Sequence, residues 1–441
     1  MSFRHDPLFA SGWPDYLAAL VSISIMGANR RFARGEQPVS DRDSHNQNEQ
    51  LSRRAVLGGA AALVGGASLM SCSEQESSKG LHIEPASRTQ YDLIKADGTH
   101  RELGRQHGEQ AVESIRMHLD HIASSQKLSR DALQTKALKF TELFQQHCPH
   151  LLDEIEGLAE GAGITVAEAL ACNLRGELSR APDEGCTTYV VGKSTTADGE
   201  VIVGQNSDMS QPNIEMGYVL HLKPKDKPQV LIWTFGGMIG YHGMNSAGVA
   251  HFANALGGGP AGQFGLSHYP VKRLMLECST MGEVLDIFHR VPIASNGNYV
   301  VCDGDGTILD IEANSNGPQI VEDSGRGFIA HTNHYLCPLY GTRENYDKSV
   351  ADSFPRLEKM DAMLDAEKGQ VSVEKIKGYL SDHSNGAASI CRHPRSEDLE
   401  KGFESAGRTV ASMISEPAKK RMHVALGNPC DSEYVTYTMD A

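Results

Sequence analysis

The chain has 441 residues, of which 40% are hydrophobic and 22% charged, and this composition is typical of a globular protein with one large domain or two smaller ones. Its formal net charge of −15 argues against nucleic-acid binding, because phosphates call for a basic surface. The negative charge is compatible with neutral or cationic small molecules as ligands.

The N-terminal segment differs in composition from the rest. Residues 1–50 end in a long polar stretch, which predicts a disordered leader or a start assigned too far upstream. In residues 51–72, Arg53 and Arg54 precede an uncharged run of small residues that is too short and glycine-rich to span a bilayer. This pattern indicates a twin-arginine export signal.

The same run ends in LMSC, which matches a lipoprotein box with Cys72 as the lipidated residue. We therefore expect a periplasmic or cell-envelope protein, exported and lipid-anchored, with residues 73–88 as a tether. An uncleaved membrane anchor is the alternative.

Nine cysteines are present, without a CxxC pair or regular spacing. This arrangement indicates neither a zinc cluster nor a small disulfide scaffold. Apart from Cys72 and Cys186, we expect reduced cysteines that pack in the core. These are Cys148, Cys172, Cys278, Cys302, Cys337, Cys391 and Cys430.

The first half of the remaining chain is predicted to be helical. Residues 98–180 have apolar positions at helical spacing, and Thr165 is a good N-cap for the helix VAEALACNL. From Cys186 the pattern changes to short β-branched or aromatic runs separated by turns. These runs are TTYVVGK, GEVIVGQN, YVLHLKP, QVLIWTF and GVAHFANAL.

Further along, helices and strands alternate in blocks. Residues 269–290 and 352–380 return to helical spacing. Residues 298–314 form two strands around a DGDG turn, and residues 409–426 form a strand, a turn and a strand. The order predicts an α+β fold around antiparallel sheets.

Cys186, in DEGCTTYVV, stands where the helical half gives way to the strands. If the Gly185–Cys186 bond is cut, Cys186 carries both a thiol and an α-amine with a pKa of roughly 7.7–8, which can take the thiol proton. Glycine at 185 would let the backbone adopt the strained shape from which the thiol attacks the preceding carbonyl. The alternative is a buried structural cysteine.

Several segments in order over residues 90–437 resemble the acyl-coenzyme A:6-aminopenicillanic acid acyltransferase (isopenicillin N acyltransferase-like) family of N-terminal-nucleophile hydrolases. They are GCTTY, GQNSD, GMNSAGV, HTNHY, SICRHP and NPCDSEY. The resemblance implies a four-layer αββα sandwich over residues 89–441. It also implies self-cleavage into a small chain, 89–185, and a large chain, 186–441.

The resemblance implies a role for each of four candidate catalytic residues. Cys186 would be the cleavage site and the nucleophile, and Asp208 would lie beside its α-amine. Asn298 would donate its side-chain amide to the oxyanion, and Arg356 would be a cation near the nucleophile that stabilises charge. From their sequence context alone, Asp208 could be a turn residue, Asn298 a loop residue and Arg356 a surface ion-pair partner.

Gln205, Asn254 and Ser353 are the candidate substrate-binding residues. Gln205 stands where bile salt hydrolases carry arginine, which weakens a bile-acid interpretation. His331 and His334 have no third ligand nearby, so we expect them to be structural rather than metal ligands. No metal or cofactor is expected.

We therefore predict an exported, self-cleaving amidase or acyltransferase that acts on a small N-acyl amide through a Cys186 thioester. Its partners would be this substrate and the second chain of the cut precursor. We expect no nucleic-acid partner, and contact with a membrane only through the lipid anchor. A catalytically silent, ligand-binding lipoprotein of the same fold is one alternative. A conventional cysteine protease with a Cys–His pair is another.

Overall fold

The computed structural model describes residues 88–174, 185–340, 350–396, 400 and 407–440. All of them belong to one compact unit, Leu81–Ala441. The twin-arginine segment, Cys72 and almost all of the proposed tether lie outside the described residues. Within the described part of the chain, no helix has the length and apolar character needed to cross a bilayer.

Eleven α-helices are described. They are α1 (His100–Gln110), α2 (Val112–Gln126), α3 (Arg130–Ala137), α4 (Thr141–His147), α5 (Pro149–Ala162), α6 (Val166–Cys172), α7 (Pro212–Met216), α8 (His268–Met275), α9 (Met281–Arg290), α10 (Ser353–Ala366) and α11 (Val373–Leu380). Short 3₁₀ turns lie at Leu138–Phe140, Gly386–Ala388 and Pro417–Lys419.

The described strands form two sheets. They are β1 (Leu93–Gly98), β2 (Cys186–Val191), β3 (Ile202–Ser210), β4 (Gly217–Pro224), β5 (Val230–Phe235), β6 (His242–Asn245), β7 (Ala250–Ala255), β8 (Gly297–Cys302), β9 (Ile308–Asn314), β10 (Gly317–Val321), β11 (Phe328–His331), β12 (Gly407–Glu416), β13 (Arg421–Leu426) and β14 (Tyr434–Thr438).

The eight-stranded sheet has the order β1-β4-β5-β6-β7-β8-β9-β10, and the six-stranded sheet has the order β11-β2-β3-β12-β13-β14. Every neighbouring pair is antiparallel except β1 and β4, which are parallel. The small chain of the predicted cleavage would therefore supply one edge strand to a sheet built from the large chain.

Three apolar clusters show how the layers stack. One contains residues of α1 to α6, α8, α9 and the eight-stranded sheet. A second contains residues from both sheets, such as Trp233 of β5 and Val203 of β3. The third joins the six-stranded sheet to α10 and α11. The order of layers is therefore helix, sheet, sheet, helix, which confirms the expected αββα sandwich.

Most predicted elements are present. The helical first half, the five strands after residue 186 and the hairpin β8–β9 are confirmed. Thr165 caps α6 by accepting a hydrogen bond from the backbone N–H of Glu168. Each of the two predicted later helical stretches is a pair of helices, α8 with α9 and α10 with α11. Strands β1, β6, β10, β11 and β14 were not predicted, because they are short or lack a clear alternation.

Glycines allow α1 and α5 to pack with their backbones in close contact. A Cβ on Gly104 of α1 would lie 1.8 Å from the carbonyl oxygen of Glu154. A Cβ on Gly157 of α5 would lie 2.1 Å from the carbonyl oxygen of Arg101. Backbone atoms cannot move aside as a flexible side chain can, so these positions exclude even alanine.

We predict that Gly104→Ala lowers the free energy of unfolding by about 1–3 kcal/mol, because the new methyl group forces the two helices apart. The control is Gly378→Ala in α11, where nothing lies within 4 Å of the new Cβ. There alanine should stabilise the helix by about 0.4–1 kcal/mol. Urea unfolding midpoints would measure both effects, and equal shifts of the same sign would contradict the packing argument.

Candidate active site

Cys186 is the first residue of β2, and pairing with β3 determines its neighbours. It lies opposite Ser207, and the backbone N–H of Asp208 donates to the carbonyl oxygen of Gly185 at 2.9 Å. Cys186 is only 4% exposed. Because side chains alternate along a strand, Cys186 shares the face of β2 that carries Val190, a residue of the core between the sheets.

The guanidinium group of a neighbouring arginine lies close to Gly185. A Cβ at this position would lie 2.7 Å from the guanidinium carbon of Arg392. The φ angle of Gly185 is outside the left-handed region, so the expected backbone strain is not the reason for glycine here. The guanidinium group of Arg392 lies directly against the candidate cleavage junction, and as the end of a flexible side chain it could move aside for a Cβ.

Arg356 of α10 lies beside Cys186, and its role towards the candidate nucleophile stays a prediction. Its guanidinium group is fully buried and donates to the carbonyl oxygen of Cys186, to Thr187 Oγ1 at 3.1 Å and to Asn333 Oδ1 at 2.8 Å. It is therefore not a surface ion-pair residue. Its contacts are with the backbone of Cys186 and with the neighbouring residues of β2 and of the loop after β11, so it holds the start of β2 in place.

Asn333, which follows β11, is the contact residue that the sequence interpretation missed. Its Oδ1 accepts a hydrogen bond from the backbone nitrogen of Cys186 at 2.9 Å, and its Nδ2 donates to the carbonyl oxygen of Ala255 at 3.0 Å. The signal was available, because Asn333 is the central residue of the segment HTNHY. In the sequence, the histidines of that segment draw attention as possible ligands, whereas the asparagine between them does not.

Asp208 is buried beside the junction rather than exposed in a turn. Its Oδ1 accepts from Thr409 Oγ1 at 2.7 Å, and its Oδ2 lies 3.6 Å from Arg392 Nε. Burial raises the pKa of Asp208 to about 6, against the opposing effects of Arg392, Arg356 and the Thr409 hydroxyl. A role for Asp208 at the α-amine stays a prediction.

Asn298 belongs to a buried polar chain that crosses between the two sheets. Gln205 Nε2 donates to Asn254 Oδ1 at 3.1 Å, Asn254 Nδ2 to Asn298 Oδ1 at 2.9 Å, and Asn298 Nδ2 to Asp310 Oδ1 at 2.8 Å. Asn254 Nδ2 also donates to Thr188 Oγ1, on the nucleophile strand, at 2.9 Å. The amide nitrogen expected to serve the oxyanion thus already binds a carboxylate, and its catalytic role remains a prediction.

Ser353, the first residue of α10, holds the loop that carries Asn333. Its Oγ accepts from the backbone N–H of Asn333 at 2.7 Å and donates to Thr332 Oγ1 at 2.8 Å. It also lies 2.7 Å from His334 Nδ1. Ser353 is fully buried. Its hydroxyl contacts the loop and is not exposed to solvent, so the observed contacts are those of a residue that supports the loop.

His331 and His334 have different surroundings within the same loop. His331 Nε2 lies 2.9 Å from Glu312 Oε1 and 3.5 Å from Asp310 Oδ2. Burial opposes protonation of His331, but these two carboxylates outweigh it and raise its pKa. His334 stacks on Phe354 with ring centroids 4.0 Å apart. Both rings are packed into the interior. Ligand atoms of Asp310, Glu312 and His331 lie within 4.8 Å of one another, so possible further ligands are close to His331, contrary to the expectation from the sequence, and the structural role of the two histidines stays a prediction.

The expectation that all other cysteines pack in the core is only partly correct. Cys148, Cys172, Cys278, Cys302 and Cys391 are buried, whereas Cys337 is half-buried and Cys430 is exposed. None of these seven cysteines forms a disulfide.

The αββα sandwich, with a buried cysteine at the start of an inner strand, is the architecture that the resemblance to N-terminal-nucleophile hydrolases implies. Residues 194–431 match the model of the family described as acyl-coenzyme A:6-aminopenicillanic acid acyl-transferase. Because this match spans more than half of the chain, the protein belongs to that family, which confirms the resemblance.

A curated relative is the acyl-coenzyme A:6-aminopenicillanic-acid-acyltransferase 40 kDa form of Emericella nidulans. It is 28% identical over 345 residues, covering 76% of this chain and 92% of the relative. Similar solved structures include a variant of conjugated bile acid hydrolase from Clostridium perfringens, with 13% identity, a TM-score of 0.41, and coverage of 57% of this chain and 97% of that one. Another is penicillin V acylase from Agrobacterium tumefaciens, with 12% identity, a TM-score of 0.36, and coverage of 55% and 83%.

We predict that Asp208 makes stability fall as pH rises from about 4 to about 6. A folded-state pKa raised from 3.8 to about 6 means that the folded protein binds this proton more tightly than the unfolded chain. The contribution is complete below about pH 4 and lost above about pH 6, a difference of about 3 kcal/mol.

Asp208→Asn should remove this part of the pH dependence, leaving the share of Asp310, whose pKa burial also raises to about 6. Thr409→Val removes a hydrogen bond to the ionised carboxylate and should raise the pKa of Asp208 further. The free energy of unfolding should then keep falling to a higher pH than in the wild type. Urea unfolding at several pH values would test both variants. Identical pH profiles for wild type and Asp208→Asn would contradict the assignment.

Proposed function

We propose that the protein is a self-cleaving amidase or acyltransferase that uses Cys186 as an N-terminal nucleophile. The observation that carries the proposal is the contact set of Cys186: its backbone nitrogen donates to Asn333, and Arg356 donates to its carbonyl oxygen. Both backbone polar groups of the candidate nucleophile are thus held by buried side chains. Family membership supports acyl chemistry.

Self-cleavage would begin with attack of the Cys186 thiolate on the carbonyl carbon of Gly185. The C–N bond breaks as the nitrogen takes a proton, which leaves a thioester and a free α-amine. Water then hydrolyses the thioester, so that the small chain ends in the carboxylate of Gly185. The backbone N–H of Asp208 donates to the carbonyl oxygen of Gly185 and would stabilise the negative charge that develops on this oxygen during the attack.

The mature site would use the same thiol on an external substrate. The α-amine of Cys186 takes the thiol proton, the thiolate attacks the acyl carbon of an N-acyl amide, and the amine passes the proton to the leaving nitrogen. Water or a second amine then takes the acyl group from the thioester. Asn333 would orient the α-amine through Oδ1, and Arg356 would stabilise the thiolate.

We further propose export by the twin-arginine segment and anchoring through a lipid on Cys72. Coenzyme A thioesters are cytoplasmic, so an exported enzyme would transfer the acyl group to water rather than from coenzyme A. A small N-acyl amide is therefore the substrate class that we favour.

We predict that the purified wild-type protein contains two chains, the longer of which begins at Cys186, and that Cys186→Ala remains uncut. Loss of the thiol removes the only atom that attacks the junction in this mechanism. Intact-mass measurement would show both states. The control is Cys337→Ala, at a half-buried cysteine whose Sγ lies 3.8 Å from Gln319 Oε1, and this variant should be cut like the wild type. An uncut but active wild type would remove the α-amine from the mechanism.

We predict that Arg356→Lys lowers kcat for hydrolysis of an N-acyl amide by on the order of 10²-fold with little change in KM. Lysine keeps the charge but lacks the planar guanidinium group that binds Cys186, Thr187 and Asn333 together. Small displacements of groups at a reacting centre lower the rate by about this factor. The matched control is Arg101→Lys, at an arginine whose side chain is 49% exposed. An unchanged kcat in Arg356→Lys would show that the charge alone suffices.

A further inference from the structure

Four side chains with metal-ligand atoms meet at the surface beside the six-stranded sheet. His383, Cys391 and His393 lie in the segment after α11, and Cys430 lies in the turn between β13 and β14. One ligand atom from each of the four lies within 4.8 Å of all the others. Three of the residues are exposed and Cys391 is buried, so an ion could enter from solvent.

The distances between these atoms fit one tetrahedral ion. Cys391 Sγ and Cys430 Sγ are 3.6 Å apart, and His393 Nε2 lies 3.2 Å from Cys430 Sγ and 3.0 Å from His383 Nε2. Metal–ligand bonds of about 2.3 Å to sulfur and about 2.0–2.1 Å to nitrogen give tetrahedral edges of about 3.8 Å for two sulfurs and about 3.3 Å for two nitrogens.

We propose that these four residues bind a zinc-class divalent cation in a Cys₂His₂ site. Two thiolates and two neutral imidazoles form the donor set that Zn²⁺ prefers, and the two thiolate charges balance the charge of the ion. Binding would release the two thiol protons. The spacing of the ligands along the chain, with one far from the other three, explains why the sequence alone does not indicate the site.

Asn428 completes the surroundings of the site. It is buried, and its Nδ2 donates to Cys391 Sγ at 3.3 Å and to the carbonyl oxygen of Arg392 at 2.6 Å. An N–H group directed at a sulfur atom stabilises the thiolate that a metal requires, and such outer contacts commonly orient metal ligands.

The site would position the arginine that lies against the candidate cleavage junction. Arg392 stands between the ligands Cys391 and His393, and its guanidinium group reaches Asp208 and Gly185. With four protein ligands the site has no open coordination position, which is the mark of a structural rather than a catalytic ion. The ion would therefore fix the backbone on both sides of Arg392.

Cobalt substitution would test the site without depending on catalytic activity. Reduced, chelator-treated protein, titrated with Co²⁺, should bind one ion per chain and show the visible and sulfur-to-cobalt charge-transfer bands of tetrahedral thiolate coordination, and Zn²⁺ should bleach these bands. Cys430→Ser should weaken Co²⁺ binding by more than about 100-fold, and Asn428→Ala by about 10–100-fold.

Cys337→Ser is the matched control, because Cys337 is also outside the core but not in the cluster, and it should bind as the wild type does. If Cys430→Ser fails to fold, His383→Asn at an exposed ligand provides the same test. Absence of Co²⁺ binding by the reduced wild type would overturn the proposal, as would undiminished binding by the ligand variants. A Cys391–Cys430 disulfide in the purified protein, seen as a mass lower by about 2 Da, would overturn it as well.

Discussion

The buried guanidinium group of Arg356 is the interaction on which the geometry of the site depends. A cation removed from water is costly unless acceptors surround it. Its acceptors come from the start of β2 and from the loop after β11, while the cation itself comes from α10. A shift of any of these three segments would leave a buried N–H of the group without its present acceptor. The orientation of Cys186 is in this sense preorganised by the fold.

The alternation of side chains along β2 divides the site into two functional sides. Cys186 and Thr188 share the face that looks toward the eight-stranded sheet, and Thr188 receives a hydrogen bond from Asn254 of that sheet. Thr187 points to the opposite face, where Arg356 contacts it. The thiol thus lies on the side of the polar chain between the sheets, whereas the charge proposed to stabilise it lies in the helical layer. Register in one pair of strands, β2 with β3, sets both arrangements at once.

Much of the fold was accessible from local patterns, whereas the site was accessible only in part. β-branched runs predict the strands after Cys186, and the family resemblance indicates Arg356 and Asp208 as candidate site residues. Asn333 and Arg392 were not identified, because what makes them important is contact across 147 residues in one case and a close approach to Gly185 in the other. Such contacts depend on tertiary packing, which spacing does not encode. Burial likewise changed the expectation for Ser353, since nothing in its sequence context shows that its hydroxyl is enclosed.

The parallel pairing of β1 with β4 would have a consequence for the stability of the protein after the proposed cut. Residues before Gly185 contribute this edge strand and six helices whose apolar faces are buried against strands from beyond Cys186. A cut at the junction would leave two interlocked polypeptides that no longer share a covalent link. Their reassembly after unfolding would be a bimolecular event, sensitive to concentration, while the intact precursor folds as a single molecule. If the chain is cut as proposed, folding would have to precede the cut, and the mature protein would persist because it unfolds slowly rather than because it refolds readily.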